Sequence, residues 1–292
     1  MLLQEQMKKY HFSNNETIII DYILNKKELI KDYSIQMIAD ETYTSPSTLI
    51  RISKKLGFSG WNEFKQSYLE EVEYLNRHFK EIDANIPFTK DDNIINIANK
   101  ITNLHQESIN DTLSLIHHDT LQKATMILNK AKNIHVFAIS NLNYAGEEFV
   151  FKLNRIHKNA SINSTQDNMF QNALMATSDE CAICISYSGE TPTLLKTVNY
   201  LKKNNVPIIA ITSLGNNSLA KEADVTLNIT TREKSFTKIS NYSSLASINL
   251  LLDILYSCLF SLNYQTNLDY KINIAKQIET NRIIDNEIIS EK

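Results

Sequence analysis

Residues 181–192 read CAICISYSGETP, and this stretch combines a strand, a loop and the start of a helix. CAICI is a short apolar run of the kind that forms a strand buried on both faces. SYSGET supplies hydroxyl groups and a glycine, and Pro192 suits the first turn of a helix, where its missing N–H costs nothing. Because free N–H groups at a helix N-terminus attract anions, the loop predicts an anion-binding site. The alternative is an ordinary capped, serine-rich loop.

Strand-like runs alternate with helical patterns in the second half of the chain. The runs are Ile134–Ile139, Cys181–Ile185, Ile208–Ile211 and Val225–Ile229. Helical patterns such as Glu147–Arg155 and Leu194–Asn204 separate them, and one long helical pattern, Ile94–Lys130, precedes them. This alternation predicts an α/β domain, a doubly wound parallel sheet with helices on both faces. Such sheets hold ligands at the carboxyl ends of their strands.

The first 80 residues carry helical signals alone. One helix is predicted after Ser34, a good N-cap. The next has Ser45 as its N-cap and Pro46 at its first position, and Gly57 ends it. Two short helices joined by a tight turn, with the small Ala39 where they cross, predict an all-helical helix-turn-helix domain.

The second helix of this motif carries the residues that we expect to bind DNA. They are Ser45, Ser47, Thr48, Arg51, Lys54 and Lys55. Those expected on one outer face, three or four residues apart, are Ser47, Thr48, Arg51 and Lys55. Arginine pairs with guanine, hydroxyl groups donate to bases or phosphates, and lysines neutralise phosphates.

Charge is distributed unevenly around this helix. Residues 45–56 contain three basic residues and no acid, whereas residues 1–80 contain 11 basic and 11 acidic residues. A local basic helix on a neutral domain favours a reader of double-stranded DNA. The alternative is a three-helix domain whose charged face is only solvated.

Composition limits the class of protein. The chain has 292 residues, a net charge of −3 and three cysteines, too few for a disulfide framework. Cys181 and Cys184 lie in a strand-like run without a second pair at metal-ligand spacing, which favours a core position over redox or zinc chemistry. The apolar runs are shorter than the roughly 20 residues of a membrane span, and Glu5 stands where a secretory leader needs a basic start. We expect a cytoplasmic protein with no membrane span, metal or cofactor.

Longer patterns resemble a known family. SIQMIA at 34–39, SPSTLIRI at 45–52 and KKLGFSGW at 54–61 closely resemble the N-terminal domain of the RpiR family of regulators. The loop at 186–191 and IIAITS at 208–213 resemble a SIS (sugar isomerase) domain. The two resemblances cover nearly the whole chain. They imply a helix-turn-helix domain at 1–80, a linker at 81–93, a SIS domain at 94–270 and a helical tail at 271–292.

The resemblance also implies a ligand and the residues that hold it. In SIS domains the hydroxyls of this loop bind the phosphate of a phosphosugar. The matching residues here are Ser186, Ser188 and Thr191, with Gly189 and the backbone of Tyr187 shaping the cradle.

Two loops depart from the family pattern. The turn between the two helices usually holds glycine, and here it holds Tyr43, at a cost on the order of 1 kcal/mol if its φ is positive. In the first SIS loop Ser140 replaces a glycine and Leu142 replaces a serine that contacts the ligand. Ser140, Asn141 and Asn143 are then the residues of this loop that we expect to bind the ligand, with Asn141 or Asn143 in place of the missing serine.

These observations predict a transcriptional regulator of carbohydrate metabolism rather than an enzyme. Its DNA affinity would change when a phosphorylated sugar occupies the SIS domain, and a homodimer or homotetramer would read a palindromic operator. One alternative is a phosphosugar isomerase-type enzyme, which needs a positioned general base. The other is a DNA-binding dimer with a vestigial sensor, which the altered first SIS loop favours.

Overall fold

The N-terminal part of the computed structural model is entirely helical. The structure describes residues 2–77, 82–162 and 165–278. Five α-helices and one 3-10 helix make up the N-terminal part: α1 (Leu3–Lys9), α2 (Asn14–Lys26), the 3-10 helix (Lys27–Asp32), α3 (Ile35–Glu41), α4 (Pro46–Lys55) and α5 (Trp61–Arg77).

Capping residues set the ends of these helices. Ser13 forms a capping box with Glu16 at the start of α2, and Ser34 Oγ accepts from the Met37 amide at the start of α3. Gly57 follows α4 with a φ of +94°, a conformation that glycine adopts without strain. The two helices predicted at 34–57 are therefore confirmed.

One core holds the N-terminal helices together. Ile38 and Ala39 of α3 are fully buried against α4, and three aromatic residues of α5 complete the cluster. Those three are Trp61, Phe64 and Tyr68, and the rings of Phe64 and Tyr68 stack with centroids 6.1 Å apart. The Tyr68 hydroxyl donates to the Ile23 carbonyl at 3.0 Å, so α5 is locked onto α2.

The C-terminal part is a five-stranded parallel sheet covered by helices. Its elements in chain order are α6 (Ile94–Ser114), α7 (His118–Lys130), β1 (Ile134–Phe137), α8 (Leu142–Asn154), β2 (Ala160–Ile162), α9 (Gln166–Met175), β3 (Cys181–Ile185), α10 (Pro192–Lys203), β4 (Ile208–Ser213), α11 (Ser218–Glu222), β5 (Val225–Ile229), α12 (Tyr242–Leu262) and α13 (Tyr264–Ile278). The strand order is β2-β1-β3-β4-β5, and every neighbouring pair is parallel.

Alternate residues of the central strands face opposite cores. Cys181 and Ile183 of β3 pack with α12, whereas Ala182 and Cys184 pack with α10 on the other face. The two cysteines of the Cys-x-x-Cys sequence therefore lie in different cores. Burial raises the pKa of both thiols to about 12, which keeps them protonated and unreactive. The predicted doubly wound sheet is confirmed.

Three details differ from the sequence-based expectation. The long pattern Ile94–Lys130 is two helices, because the chain turns at residues 115–117. Strand β2 was not predicted, since it has three residues and lies at the sheet edge. The segment expected as a linker packs against the C-terminal part, with Ala84 and Asn85 buried. The last 14 residues of the predicted helical tail lie outside the described residues.

Helix α12 differs from the rest in its apolar composition. Its 21 residues make it long and apolar enough to cross a membrane by length and composition alone, although about a third of its most apolar window is buried. Ile248, Leu251 and Leu255 are fully buried against the sheet. One side of α12 is therefore packed in the core of the α/β domain.

Candidate functional site

The packing between α3 and α4 is that of a helix-turn-helix. Ala39 has no exposed surface, and Leu49 and Ile52 of α4 are fully buried beside it. In the turn, Thr42 Oγ1 donates to the Ile38 carbonyl at 2.7 Å. Tyr43 has a φ of +51° and is 98% exposed, so a bulky side chain occupies the left-handed position that favours glycine.

The exposed face of α4 differs in part from the predicted one. Ser47, Arg51 and Lys54 are exposed, and so is Ser45 at the N-cap. Thr48, however, is buried, with its hydroxyl 3.0 Å from Ser45 Oγ. Its expected place on the outer face was wrong, because one turn of α4 packs inward there. The apolar side chain of Ile50 is also 40% exposed.

A buried carboxylate on α2 binds two of the three basic residues of α4. Glu16 Oε1 accepts from Arg51 Nε at 3.0 Å and from Lys55 Nζ at 2.8 Å. Burial of Glu16 opposes ionisation, but hydrogen bonds from Lys55, the Ser13 amide and Arg51 outweigh it and lower its pKa to about 2. Arg51 remains 58% exposed, so one edge of its guanidinium is available to a ligand. Glu16 was not predicted as part of the site, because it lies 35 residues from Arg51 in the sequence.

The serine-rich loop after β3 lines a cavity of about 200 Å³. The residues that line it are Ile139, Leu142, Ile185, Ser186, Tyr187, Ser188, Thr191, Leu194, Ser235 and Lys238. Ser186 Oγ lies 2.9 Å from Thr191 Oγ1 and accepts from the Gly189 amide. Ser188 Oγ accepts from the Glu190 amide at 3.2 Å. The three hydroxyls predicted to bind phosphate are thus at one cavity, at the N-terminus of α10.

Gly189 gives the loop its shape. Its φ is +66°, and a Cβ atom built there would lie 2.0 Å from Asn217 Oδ1. Asn217 is buried, donates to Thr212 Oγ1 and accepts from the Ala220 amide at the start of α11. Any larger side chain at Gly189 would therefore collide with a side chain that is itself fixed.

The first SIS loop contributes differently from the expectation. Ser140 keeps a left-handed backbone, with a φ of +62°, where the family usually has glycine. Leu142 lines the cavity, whereas Ser140, Asn141 and Asn143 are not among the described residues that line it. Asn143 is buried in the first turn of α8. A hydrogen-bonding role for these three polar residues therefore stays a prediction.

A cation that the sequence analysis missed lies in the same cavity. Lys238 follows β5 in an irregular segment, and its Nζ is 2.9 Å from Glu233 Oε2 and 5.1 Å from the centroid of the Tyr187 ring. The buried Glu233 carboxylate also accepts from the Ser243 and Ser244 amides at the start of α12. No motif identifies Lys238, because the fold alone carries it to the loop at 186–191.

A helix-turn-helix domain and an α/β domain with a serine-lined cavity, joined in one polypeptide chain, define a class of DNA-binding regulators. Residues 1–73 match the model of the helix-turn-helix domain of the rpiR family, and residues 127–255 match the SIS domain. The chain belongs to the RpiR family of helix-turn-helix transcriptional regulators.

Relatives of similar length agree with this assignment. An uncharacterized HTH-type transcriptional regulator of Clostridium perfringens is 27% identical over 278 residues, covering 95% of this chain and 98% of that one. A second, from Caldanaerobacter subterraneus subsp. tengcongensis, is 25% identical and covers 93% of this chain and 94% of its own length.

Solved structures share the fold. The Vibrio vulnificus NanR protein complexed with ManNAc-6P has a TM-score of 0.59 and 20% identity, covering 97% of this chain and all of that one. The sugar isomerase domain of an RpiR transcription factor from Sphaerobacter thermophilus has a TM-score of 0.56 and 13% identity, covering 62% of this chain and 98% of that one. At these identities the likeness concerns the fold alone.

Proposed function

We propose that this regulator controls genes of carbohydrate metabolism and that a phosphorylated sugar in the SIS cavity changes its affinity for DNA. The observation that carries the proposal is the convergence of the Ser186, Ser188 and Thr191 hydroxyls and the Lys238 ammonium on one cavity at the N-terminus of α10. The similar fold of NanR, a protein complexed with ManNAc-6P, supports the same ligand class.

The chemistry of the cavity suits a phosphate monoester at one end and a sugar at the other. Hydroxyl groups and free N–H groups at a helix N-terminus donate to phosphate oxygens, and an ammonium neutralises part of their charge. Leu142 and Leu194 add apolar surface to the same lining. Leu142 replaces a hydroxyl of the family pattern, so the sugar end of the ligand would be held with fewer hydrogen bonds.

The DNA-reading role falls to the exposed side of α4. Arg51 is the proposed base-reading residue, because Glu16 fixes one edge of its guanidinium while the other stays exposed. We propose that Lys54, Ser45 and Ser47 contact phosphates, since all three are exposed. Lys55 is a weaker candidate than the sequence suggested, since Glu16 neutralises it, and the buried Thr48 is proposed to position the helix through Ser45.

A two-fold oligomer would place two such helices on one face of the duplex and read a palindromic operator, with half-sites one helical turn apart. Helix α6 begins with the exposed Ile94 and Ile95, 83% and 68% accessible, which supports this helix as part of a subunit contact. We also propose that the helix-turn-helix domain spans residues 1–80 and the SIS domain residues 94–270. The proposed location of the protein is the cytoplasm.

Two other functions remain as competing proposals. An isomerase would have to move a proton on the sugar, for which the described cavity lining offers Lys238 as its one amine and no carboxylate or imidazole. A vestigial sensor is favoured by Leu142, which removes a family hydroxyl from the cavity.

One screen separates the three functions. The midpoint of thermal unfolding is measured with a panel of aldose and ketose phosphates and aminosugar phosphates, with inorganic phosphate and the unphosphorylated sugars as controls. Unheated samples of the same mixtures are analysed for isomerised product. Stabilisation by a sugar phosphate without product supports the sensor. Product formation would overturn it in favour of the enzyme, and no response to any member of the panel would leave a vestigial domain.

A further inference from the structure

One irregular segment touches both the cavity and the DNA-binding part of the chain. We call residues 230–241, between β5 and α12, the strap. Ser235 and Lys238 of the strap line the cavity. The strap is held to the loop at 186–191 as well, because the Tyr187 hydroxyl donates to the Glu233 carbonyl at 2.8 Å and accepts from the Glu233 amide at 2.9 Å.

The other end of the strap is bonded to α5. The Tyr74 hydroxyl accepts from the Thr231 amide at 2.6 Å and lies 3.2 Å from Thr230 Oγ1. Thr230 Oγ1 in turn donates to Asp111 Oδ2 of α6 at 3.1 Å. Tyr74 is 3% exposed, so these hydrogen bonds form away from solvent, where leaving one unmade is costly.

Helix α5 connects this contact rigidly to the DNA-reading helix. The helix begins at Trp61, and Phe64 and Tyr68 belong to the core that also buries Leu49 and Ile52 of α4. Tyr74 is ten residues beyond Phe64 on the same helix, a distance of about 15 Å along its axis. A shift of the strap at Tyr74 would therefore tilt the surface on which α4 packs.

A second contact joins the strap to the segment that enters the C-terminal part. Asn85 Oδ1 accepts from the Lys234 amide at 2.6 Å, and the Asn85 carbonyl accepts from the Ile239 amide at 2.8 Å. Strap residues on both sides of the cavity-lining Ser235 and Lys238 are thus fixed by the segment next to the DNA-binding domain.

We propose that the strap is the coupling element of this regulator and that Tyr74 is the residue through which cavity occupancy reaches α4. The proposal rests on the function proposed above. A phosphate in the cavity would compete with Glu233 for the Lys238 ammonium. The strap would then have one arrangement with Lys238 on Glu233 and another with Lys238 on the phosphate, and the ligand would bind the second more tightly. Because the Thr231 amide donates to the Tyr74 hydroxyl, a movement of the strap would move α5. The contacts of Asn85 with the strap reinforce this link.

The test is the Tyr74→Phe variant, which removes the hydroxyl and keeps the ring. Operator fragments are first enriched from randomised DNA with the wild-type protein. Operator affinity is then measured with and without N-acetylmannosamine 6-phosphate, or the panel member that stabilises the protein most. In allosteric proteins an effector typically changes the affinity for the other ligand by about 5- to 150-fold. We expect this effector-induced change in operator affinity to be at least about fivefold smaller in Tyr74→Phe than in the wild type. Calorimetric binding of the same sugar phosphate without DNA should stay within about threefold of wild type.

Tyr68→Phe is the matched control. It removes the same group from the same helix, and that hydroxyl also bonds a backbone carbonyl, but one inside the DNA-binding domain. Its effector response should equal that of the wild type. Equal responses in wild type and Tyr74→Phe would overturn the proposal, as would an equal loss in both variants, which would mean that any weakening of α5 abolishes the response.

Two further outcomes are also decisive. If the wild type binds its operator but responds to no sugar phosphate, the proposed function fails and this inference fails with it. If Tyr74→Phe does not fold, Asn85→Ala decides by the same criteria. Its control is Asn204→Ala, which removes a side chain at the end of α10 that donates to three backbone carbonyls at the end of α9 rather than to the strap.

Discussion

Replacing Glu16 by glutamine should weaken both the stability of the DNA-binding domain and its discrimination between operator and random DNA. Glu16 is 1% exposed, and its carboxylate accepts hydrogen bonds from Arg51, Lys55 and the Ser13 amide. Glutamine keeps the size of the side chain but loses the charge. Arg51 would then lose the charged partner that orients it, and the DNA-binding domain would gain one net positive charge.

The magnitude follows from the pKa. The pKa of Glu16 falls from 4.5 to about 2 in the folded protein, a difference of about 3 kcal/mol at 1.36 kcal/mol per unit. Because Arg51 and Lys55 are partly exposed, solvent screening reduces the expected loss of unfolding free energy to about 2 kcal/mol. A pKa lowered by folding stabilises the protein above the unfolded value of about 4.5, and that stabilisation is lost as the pH falls towards 2.

Two measurements check this prediction. Urea unfolding of wild type and Glu16→Gln should differ by about 2 kcal/mol at pH 7 and converge as the pH falls below about 4.5. Fluorescence titrations should give tighter binding to random DNA and an operator preference lower by roughly 1 kcal/mol, since an unoriented arginine reads guanine less well.

Glu63→Gln is the control, because it removes the same charge from the same domain while bonding Ser59 rather than α4. It should leave the operator preference unchanged. The reasoning is refuted if Glu16→Gln keeps both the wild-type operator preference and a wild-type stability at neutral pH.

Three further substitutions test Arg51, the loop at 186–191 and the turn at Tyr43. Arg51→Ala should weaken operator binding by roughly 1–3 kcal/mol and random DNA much less, and equal losses in gel-shift titrations on both DNAs would exclude base reading. Ser188→Ala combined with Thr191→Ala should remove hydrogen bonds worth roughly 1.5–3 kcal/mol each, abolishing the response of operator binding to a sugar phosphate. Operator affinity without effector should not change, and a normal response would place the phosphate elsewhere. Tyr43→Gly should raise the unfolding free energy by about 1 kcal/mol, because glycine adopts a φ of +51° without strain; thermal unfolding with an unchanged or lower midpoint would contradict this.

Local patterns in the sequence determined most of the secondary structure. Ser34, Ser45 and Pro46 mark helix starts through their own chemistry, and Gly57 marks an end, so α3 and α4 could be recognised without any tertiary contact. The buried strands β3 and β5 have the predicted limits, because a continuous or alternating apolar run is a property of neighbouring residues. The loop at 186–191 and its helix were predicted for the same reason.

Tertiary structure decided what lies beside these motifs. Glu16 binds Arg51 across 35 residues, Lys238 enters the cavity from the strap, and Tyr74 reaches Thr231 across 157 residues. No spacing in the sequence encodes such contacts, since they depend on how α2 packs on α4 and how the strap packs on the loop at 186–191 and on α5. Thr48 was predicted on the outer face from helical spacing, but the packing of α4 buries it. Residue type and spacing therefore determined the class of protein, whereas the orientation of the DNA-reading arginine and the contacts around the cavity depended on the folded chain.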